Sequence, residues 1–471
     1  MPPPPADEPD FDAHEAAQKH ARRKACAILF GVFALLFALF AYAFIADEEP
    51  PDLSDLHIPR LNIPDEENAY AQLSKIALSL PPAAPEETDV DQPFALMANG
   101  EVAWDQAVMS AGLAHYGTDL VTRVDQALSL TVSESPECKN HDHTSPEIRD
   151  MNRLIRVLLL QASAARHAGD DTSAARHNLA VSHFGLRLTE SRAPLIQVLV
   201  GIGIQSIALT AIREHADSLS ESADSLRNYL AQTGGHEMDI KGLHLAYKLE
   251  NRMFANATTQ LKPADIAGFL DKPESLLVRI PGLYQPNRTL RWHAEIIRAM
   301  LTQADQPPPR GTPSDAALVL NRYTEAPWPG RLENLAGRTF LDIATPSSES
   351  FNRMHFRALA DLRLTRLYLA LRLYHLEHSG ALPADLAELV PAYLPKIPLD
   401  PFDGQPLRYD REFTTIWATG PDRLNVTTAE GELPSSLIAR RLLFARPSEP
   451  LPTFEEYQAR RNTEPGLFGN P

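Results

Sequence analysis

Cysteine is nearly absent from this chain. Cys26 and Cys138 are the only two in 471 residues, and only Cys138 follows the apolar run near the N-terminus. The bulk of the protein therefore forms no internal disulfide. Large extracellular animal domains usually carry several, so this scarcity points to a bacterial envelope compartment. Positive charge is also scarce. The formal net charge is −17, and no basic block lies beyond the first 24 residues. Nothing there could neutralise a run of phosphates, so nucleic acid is excluded as a partner. Catalytic signatures are missing too: there is no G-x-S-x-G, no Walker loop and no dinucleotide fingerprint.

What is present begins with an uninterrupted apolar run, Ala25 to Ala46. It holds no ionisable carboxylate, amine or guanidinium, and twelve of its residues are Leu, Ile, Val or Phe. A helix of this length rises about 33 Å, enough for a hydrocarbon core near 30 Å. Each of those twelve side chains favours insertion by roughly 0.3 to 0.6 kcal/mol. Lys19, His20, Arg22, Arg23 and Lys24 precede the run, and Asp47, Glu48 and Glu49 follow it. The positive-inside rule then predicts a cytoplasmic tail over 1–24, a transmembrane helix over 25–46 and a periplasmic remainder, anchored in the bacterial inner membrane. Ala41-Tyr42-Ala43 has the form of a signal-peptidase site. The long apolar core and the acidic leading segment favour a retained anchor instead.

After the anchor, residues 47–99 are acidic and proline-rich and read as a stalk with one short helix opening at Glu67-Asn68-Ala69-Tyr70. Residues 100–344 read as an irregular helical domain. Leu154, Leu158, Ala162 and Ala165 share one face of a helix. Pro194 to Ile212 is apolar enough to suggest a second span, but Gln197, Gln205 and Ser206 make it a core helix. Between two helices, Gly169 closes the first and Asp170 or Asp171 caps the next. The stretch 154–188 resembles one tetratricopeptide-like hairpin, yet no 34-residue repetition follows. Residues 345–430 predict a long helix to about His378, a stop at Ser379-Gly380, a short helix carrying Leu386 and Leu389, and a β-hairpin over 406–419. Residues 431–471 read as an extended tail. The fold class expected is mainly α with a small α+β module at its C-terminal end.

The order Ala370-Leu371, Tyr374, Gly380, Leu382-Pro383, Leu389-Val390-Pro391, Tyr393-Leu394-Pro395, Asp400-Pro401-Phe402, Gly404, Pro406-Leu407 and Tyr409 resembles the major pseudopilin of type II secretion. The likeness covers about residues 350–422, where that family's long helix gives way to its globular part. The same run, with Glu67 to Tyr70 and the Gly169-Asp170 hairpin, is similar to a family of uncharacterised bacterial membrane-anchored proteins. Pseudopilins are cleaved after a glycine and carry a glutamate at position five of the apolar helix. The run from Ala25 has neither, so the resemblance implies a pilin-like module without processing or filament assembly. It also directs attention to calcium, which that family holds in an acidic loop after the hairpin. Asp422-Arg423-Leu424-Asn425 is poor in acids, which leaves Asp400 and Asp403 as candidate oxygen donors. Their other reading is turn formation.

Cys138, His141 and His143 form a C-x-x-H-x-H cluster that could ligate zinc or copper, though a fourth ligand is not in view. The alternative is a polar loop between helices. His375, Glu377 and His378 lie at a helix end, where imidazole complements the dipole. Asp89-Val90-Asp91 has the D-x-D form of metal-dependent glycosyltransferases but lies in a proline-rich linker. Together these features point to a non-enzymatic interaction or structural component of the envelope, linked to type II secretion-like machinery. Its partners would be the lipid bilayer and other envelope proteins, and no cofactor is expected. A periplasmic metal-dependent hydrolase or other enzyme is the alternative.

Overall fold

The computed structural model describes residues 11–82, 92–138, 146–219, 223–234, 238–268, 275–310, 312–327, 330–345, 348–424, 426, 438–442 and 451–463. Among them are seventeen α-helices and one three-stranded sheet, so the protein is mainly helical. The chain divides into two compact units. One comprises Met1–Asp52, Thr258–His293 and Leu320–Thr345; the other comprises Leu53–Ala257, Ala294–Val319 and Pro346–Pro471.

The smaller unit begins with α1, Phe11–Ile45, a single 35-residue helix. Ile28, Leu29, Phe30, Val32, Phe33, Leu35 and Leu36 on it are all exposed. Directly after its last turn, the Asp47 carboxylate accepts the backbone N–H groups of Asn287 (2.9 Å) and Arg288 (3.1 Å). These are orphan donors at the start of a later helix, Pro286–Ala304, so an acid there satisfies both hydrogen bonding and the helix dipole. Glu48 adds ion pairs to Arg288 (2.7 Å) and Arg291 (2.6 Å). Hydrogen bonding from Arg291, then Arg288, holds its carboxyl below the usual range against a burial effect that would raise it. A second tie is made by the fully buried Asn334, which accepts from Gln285 N–H (2.7 Å) and donates to Thr289 Oγ1 (2.8 Å).

The larger unit starts where a stalk was expected. Leu56, Ile58, Tyr70, Leu73 and Ile76 are buried instead, so 53–80 is part of a packed body. Proline and acid make up about half of 47–66, but Leu56 and Ile58 spaced among them, with the apolar face of the helix that follows, suffice to dock the segment. The helix α2, Ala69–Leu78, is capped by Asn68, whose side chain accepts Tyr70 N–H (3.1 Å). It packs on α5 (Leu120–Leu128) and α6 (Pro146–His167), while α3 (Pro93–Ala98) and α4 (Gln106–Leu113) contribute to the same core. The expected hairpin is present: Gly169 takes φ +78°, and the Asp170 side chain accepts Ser173 N–H (3.0 Å) to start α7, Asp171–Glu190.

Next comes α8, Leu195–Ser218, the apolar stretch that could be taken for a span. It is seated against α7 through two glycines. A Cβ on Gly201 would lie 2.8 Å from Gly185 O, and one on Gly185 2.9 Å from Gly201 O, so only glycine permits this approach. Buried leucines and alanines of α7 and α8 then join Leu226 and Tyr229 of α9, Ala223–Gly234.

After α10 (Lys241–Gln260), α11 (Pro263–Gly268), α12 (Ser275–Val278), α13 (Pro286–Ala304), α14 (Asp315–Thr324) and α15 (Leu335–Ala344) comes the long helix α16, Ser348–Glu377. Ala360, Leu362, Leu364, Leu367, Leu369, Ala370 and Leu371 are buried around its whole circumference, the mark of an interior helix. One side meets Ile212, Ala216 and Tyr229; the other carries Leu386, Leu389, Phe402, Leu407 and Ile416. The C-terminal segment is thus built into the larger unit through this shared helix. Its stop at Ser379-Gly380, with Gly380 at φ +89°, is as the sequence predicts. The hairpin pairs β1 (Arg408–Asp410) with β2 (Thr415–Ala418), antiparallel. A third strand, β3 (Ile438–Arg441), pairs on the far side of β2. The expected extended tail is therefore partly a strand, and partly a helix, α17 (Phe454–Thr463), whose Phe454 and Tyr457 pack against the α2–α6 core. Strand pairing and apolar docking, neither visible in local spacing, order that tail.

Candidate functional site

The cysteine–histidine cluster is divided by what the structure describes: His141 and His143 lie outside the described residues, as does Asp89-Val90-Asp91. Cys138 is half-buried. Burial first, then the negative charges of Glu147 and Glu250, push its thiol up to about 11. It is a neutral thiol at physiological pH, the opposite of an activated nucleophile. The cavity beside it, lined by Arg60, Arg252 and Pro194, measures about 10 Å³, room for no more than one water. Nearby charges bind one another: the buried Glu134 pairs with Arg192 (3.2 Å) and Arg60 (3.6 Å), and Glu137 with Arg252.

Asp400 and Asp403 do come together, but around an arginine. The Asp400 carboxylate, 0 % exposed, accepts Phe402 N–H (2.9 Å), Thr419 N–H (2.7 Å), Thr419 Oγ–H (2.9 Å) and Arg408 Nη1 (2.6 Å). Asp403 accepts Gln405 N–H (3.0 Å) and also pairs with Arg408. Burial would raise the Asp403 carboxyl, but Arg408 and that backbone donor hold it low. Four donors on Asp400 and a shared guanidinium leave no oxygen turned toward a cation. The pair ties the 398–407 turn to the end of β2. Among the described residues, no three His, Cys, Asp or Glu side chains are grouped to hold a metal.

The helix-end group is structural as well. His378 stacks on Tyr374 at 3.8 Å, Glu377 pairs with Arg227 (2.5 Å) and accepts from Tyr393 Oη (2.7 Å), and His375 Nδ1 lies 3.2 Å from Arg372.

One concavity was not foreseen. A cleft of about 560 Å³ in the larger unit is lined by Met238–Ile240, Ala304, Asp305, His355, Phe356, Leu359, Arg363 and Pro401. Its floor is α16, where His355 occupies an otherwise apolar face at 5 % exposure. Burial drives this imidazole down to about 4, opposed by Asp239 and reinforced by His244, so it stays neutral. The charged groups around it are engaged: Asp239 with Lys241 Nζ (3.1 Å), Asp305 with His244 Nε2 (3.3 Å), and Arg363 Nη1 with Leu399 O (2.8 Å). Among the described residues lining the cleft, no nucleophile faces a base. Four segments far apart in sequence build it, so no motif could have announced it.

One further group links three helices, with Asn178, His215 and Tyr229 buried and Asp171 partly exposed. Asn178 Nδ2 donates to Tyr229 Oη (3.1 Å), which lies 2.7 Å from His215 Nδ1, while His215 Nε2 lies 3.2 Å from Asp171 Oδ1. A neutral His215 with its proton on Nε2 satisfies the whole chain of donors. It joins α7, α8 and α9.

No protein-family model matches the chain, and comparison with curated proteins and with solved structures gives no match.

Proposed function

We propose that this protein is a single-pass protein of the bacterial inner membrane, with its N-terminus in the cytoplasm and its main domain in the periplasm. It acts through contacts with other envelope proteins. The observation that carries the reading is α1: one unbroken helix whose apolar side chains from Ile28 to Leu36 are turned outward, with cationic residues before it and acids after it. Seven exposed large apolar residues in succession are far more than an isolated water-facing helix tolerates, and a bilayer supplies the missing apolar surroundings. Among the described residues, the lack of a convergent nucleophile–base pair at Asp400 and in the His355 cleft supports a binding role over an enzymatic one. The pseudopilin resemblance of residues 350–422 supports a place beside type II secretion-like machinery. There the α16–hairpin segment would be read by partner proteins, while the unprocessed anchor stays in the membrane.

Protease added to cells with an opened outer envelope tests the topology. It should digest everything beyond Ala46 and leave a short fragment containing α1. Complete protection of the chain would overturn the reading. Purification from detergent extracts should bring envelope proteins along; stoichiometric zinc or copper lost on Cys138→Ser would reverse the preference for a non-enzyme.

A further inference from the structure

The end of α1 is held in place. Ala46 N–H still bonds Tyr42 O (2.8 Å), so the helix runs on to the acids that follow it. Asp47 and Glu48 then clasp the first turn of α13 through two backbone and two arginine contacts. Ile45 itself packs on the turn before α13: a Cβ added to Gly282 would stand 3.3 Å from Ile45 Cγ2. The segment Ser275–Leu283, within the same compact unit, is therefore fixed beside the last turn of the apolar helix.

That segment is built to face something apolar. Val278 points inward at 1 % exposure and anchors it, whereas Leu276, Leu277 and Ile280 are 70 %, 47 % and 45 % exposed. Arg279 stands among them, exposed. A short amphipathic element with aliphatic side chains outward and an arginine at their edge matches the chemistry of the headgroup–acyl boundary, about 5–10 Å deep. The long arginine stem can lie along apolar surface with its guanidinium toward phosphate.

We propose that Leu276, Leu277 and Ile280 form an interfacial foot that dips into the periplasmic leaflet beside the exit point of α1. The occupant of this patch is the lipid bilayer, because the patch is continuous with the end of the helix read as membrane-spanning. The inference rests on that reading of α1. The foot and the clasp together would hold the smaller unit against the membrane, where a bare tether would let it swing.

Depth-dependent quenching on the full chain in lipid vesicles separates the two claims. In a Cys26→Ser, Cys138→Ser background, single cysteines at Leu35→Cys, Leu277→Cys, Ile280→Cys and Phe413→Cys carry a small fluorophore, and the lipids carry a shallow or a deep nitroxide. Position 35 should be quenched best by the deep probe, 277 and 280 best by the shallow probe, and 413 by neither. Quenching at 35 without quenching at 277 and 280 overturns the foot and leaves the tether standing. Absence of quenching at 35 overturns the tether. Disulfide-linked dimers through 277 with no lipid quenching would assign the patch to a second copy of this chain and also overturn the foot.

Discussion

Two helices of this protein can be set against each other. In α8, which is long and apolar enough to cross a membrane by length and composition, 56 % of the most apolar stretch is buried in protein. Along α1, the large apolar side chains from Ile28 to Leu36 are exposed. The placement of polar groups separates the two helices. The run from Ala25 to Ala46 has no carboxylate, amine, guanidinium or amide, so apart from the Tyr42 hydroxyl near its end no strongly polar side chain in it needs a partner in an apolar medium. In α8, Gln197, Gln205, Arg213 and His215 all point inward. Gln205 Oε1 accepts from Ser182 (3.2 Å), and Arg213 pairs with Asp361 of α16 (3.1 Å), which also takes Arg440 of β3 (2.7 Å). The end of α8 is closed by Arg372, which donates to Ala216 O (3.2 Å) and Leu219 O (2.6 Å), a charge-assisted cap on carbonyls that lack helix partners. An apolar buried side that also carries partnered amides and charges is the pattern of a helix that needs protein neighbours.

The strongest way to break this contrast is to remove α8's buried countercharge. Asp361→Ala leaves Arg213 without its carboxylate in a nearly closed site and should cost about 3–5 kcal/mol. Chaotrope unfolding of the detergent-solubilised protein measures it, and a loss below about 1 kcal/mol would mean the pair does not hold α8 to α16. A charge placed in each helix gives the next contrast. Leu36→Arg, near the middle of the apolar run, should disfavour membrane insertion by about 2.5–3.5 kcal/mol and shift protein out of the carbonate-resistant membrane fraction. Ile207→Arg, on the exposed side of α8, should change stability by no more than about 0.5 kcal/mol and leave fractionation unchanged. The reverse pattern would exchange the roles of the two helices.

The local parts of this fold are legible in the sequence because local chemistry determines them. Asn68 caps α2, Gly169-Asp170 turns one helix into the next, Ser379-Gly380 stops α16, and 406–419 makes a hairpin. The parts that depend on distant partners are not. β3 follows β2 after some twenty residues, with nothing in its four-residue span to name its neighbour. The docking of Leu56 and Ile58 is hidden by the proline-rich, acidic composition of 47–66. At the candidate sites, turn chemistry at Asp400 and Asp403 is readable from Asp-Pro and Asp-Gly, yet their shared arginine, Arg408, carries no motif. His355 sits at apolar helical spacing on α16, and only the fold gives it Asp239, Asp305 and Arg363 as company.

A smaller effect separates the two faces of α8 by a single methyl or two. Gly201→Val must push into Gly185 O and Thr189 N of α7 and should cost about 1–3 kcal/mol by overpacking. Two residues on, Gly203 has open space around it, so Gly203→Ala should gain about 0.5–1 kcal/mol from helix propensity. Equal effects at both positions would remove close helix approach as the reason for the first glycine.

Acidification gives the finest test. Burial lowers the His215 imidazole below its usual 6.5, with Asp171 opposing and Arg166 reinforcing the shift. In the unfolded chain this histidine takes a proton near pH 6.5, while in the folded one it resists until lower pH, so the unfolded state binds more protons between the two values. Stability contributed by the neutral ring is thus present above about pH 6.5 and is lost as pH falls toward the folded value. Protonation at Nδ1 would also turn the acceptor of Tyr229 Oη–H into a donor and break the chain from Asn178 to Asp171. The apolar run of α1 has no group that titrates in this window, so its membrane partition should stay flat. Unfolding midpoints at pH 7.5 and at about pH 5.5 should therefore differ for the intact protein and differ less for His215→Gln, which cannot take the proton. An unchanged pH dependence in that variant would move the sensitivity to another buried imidazole, His355 first among them.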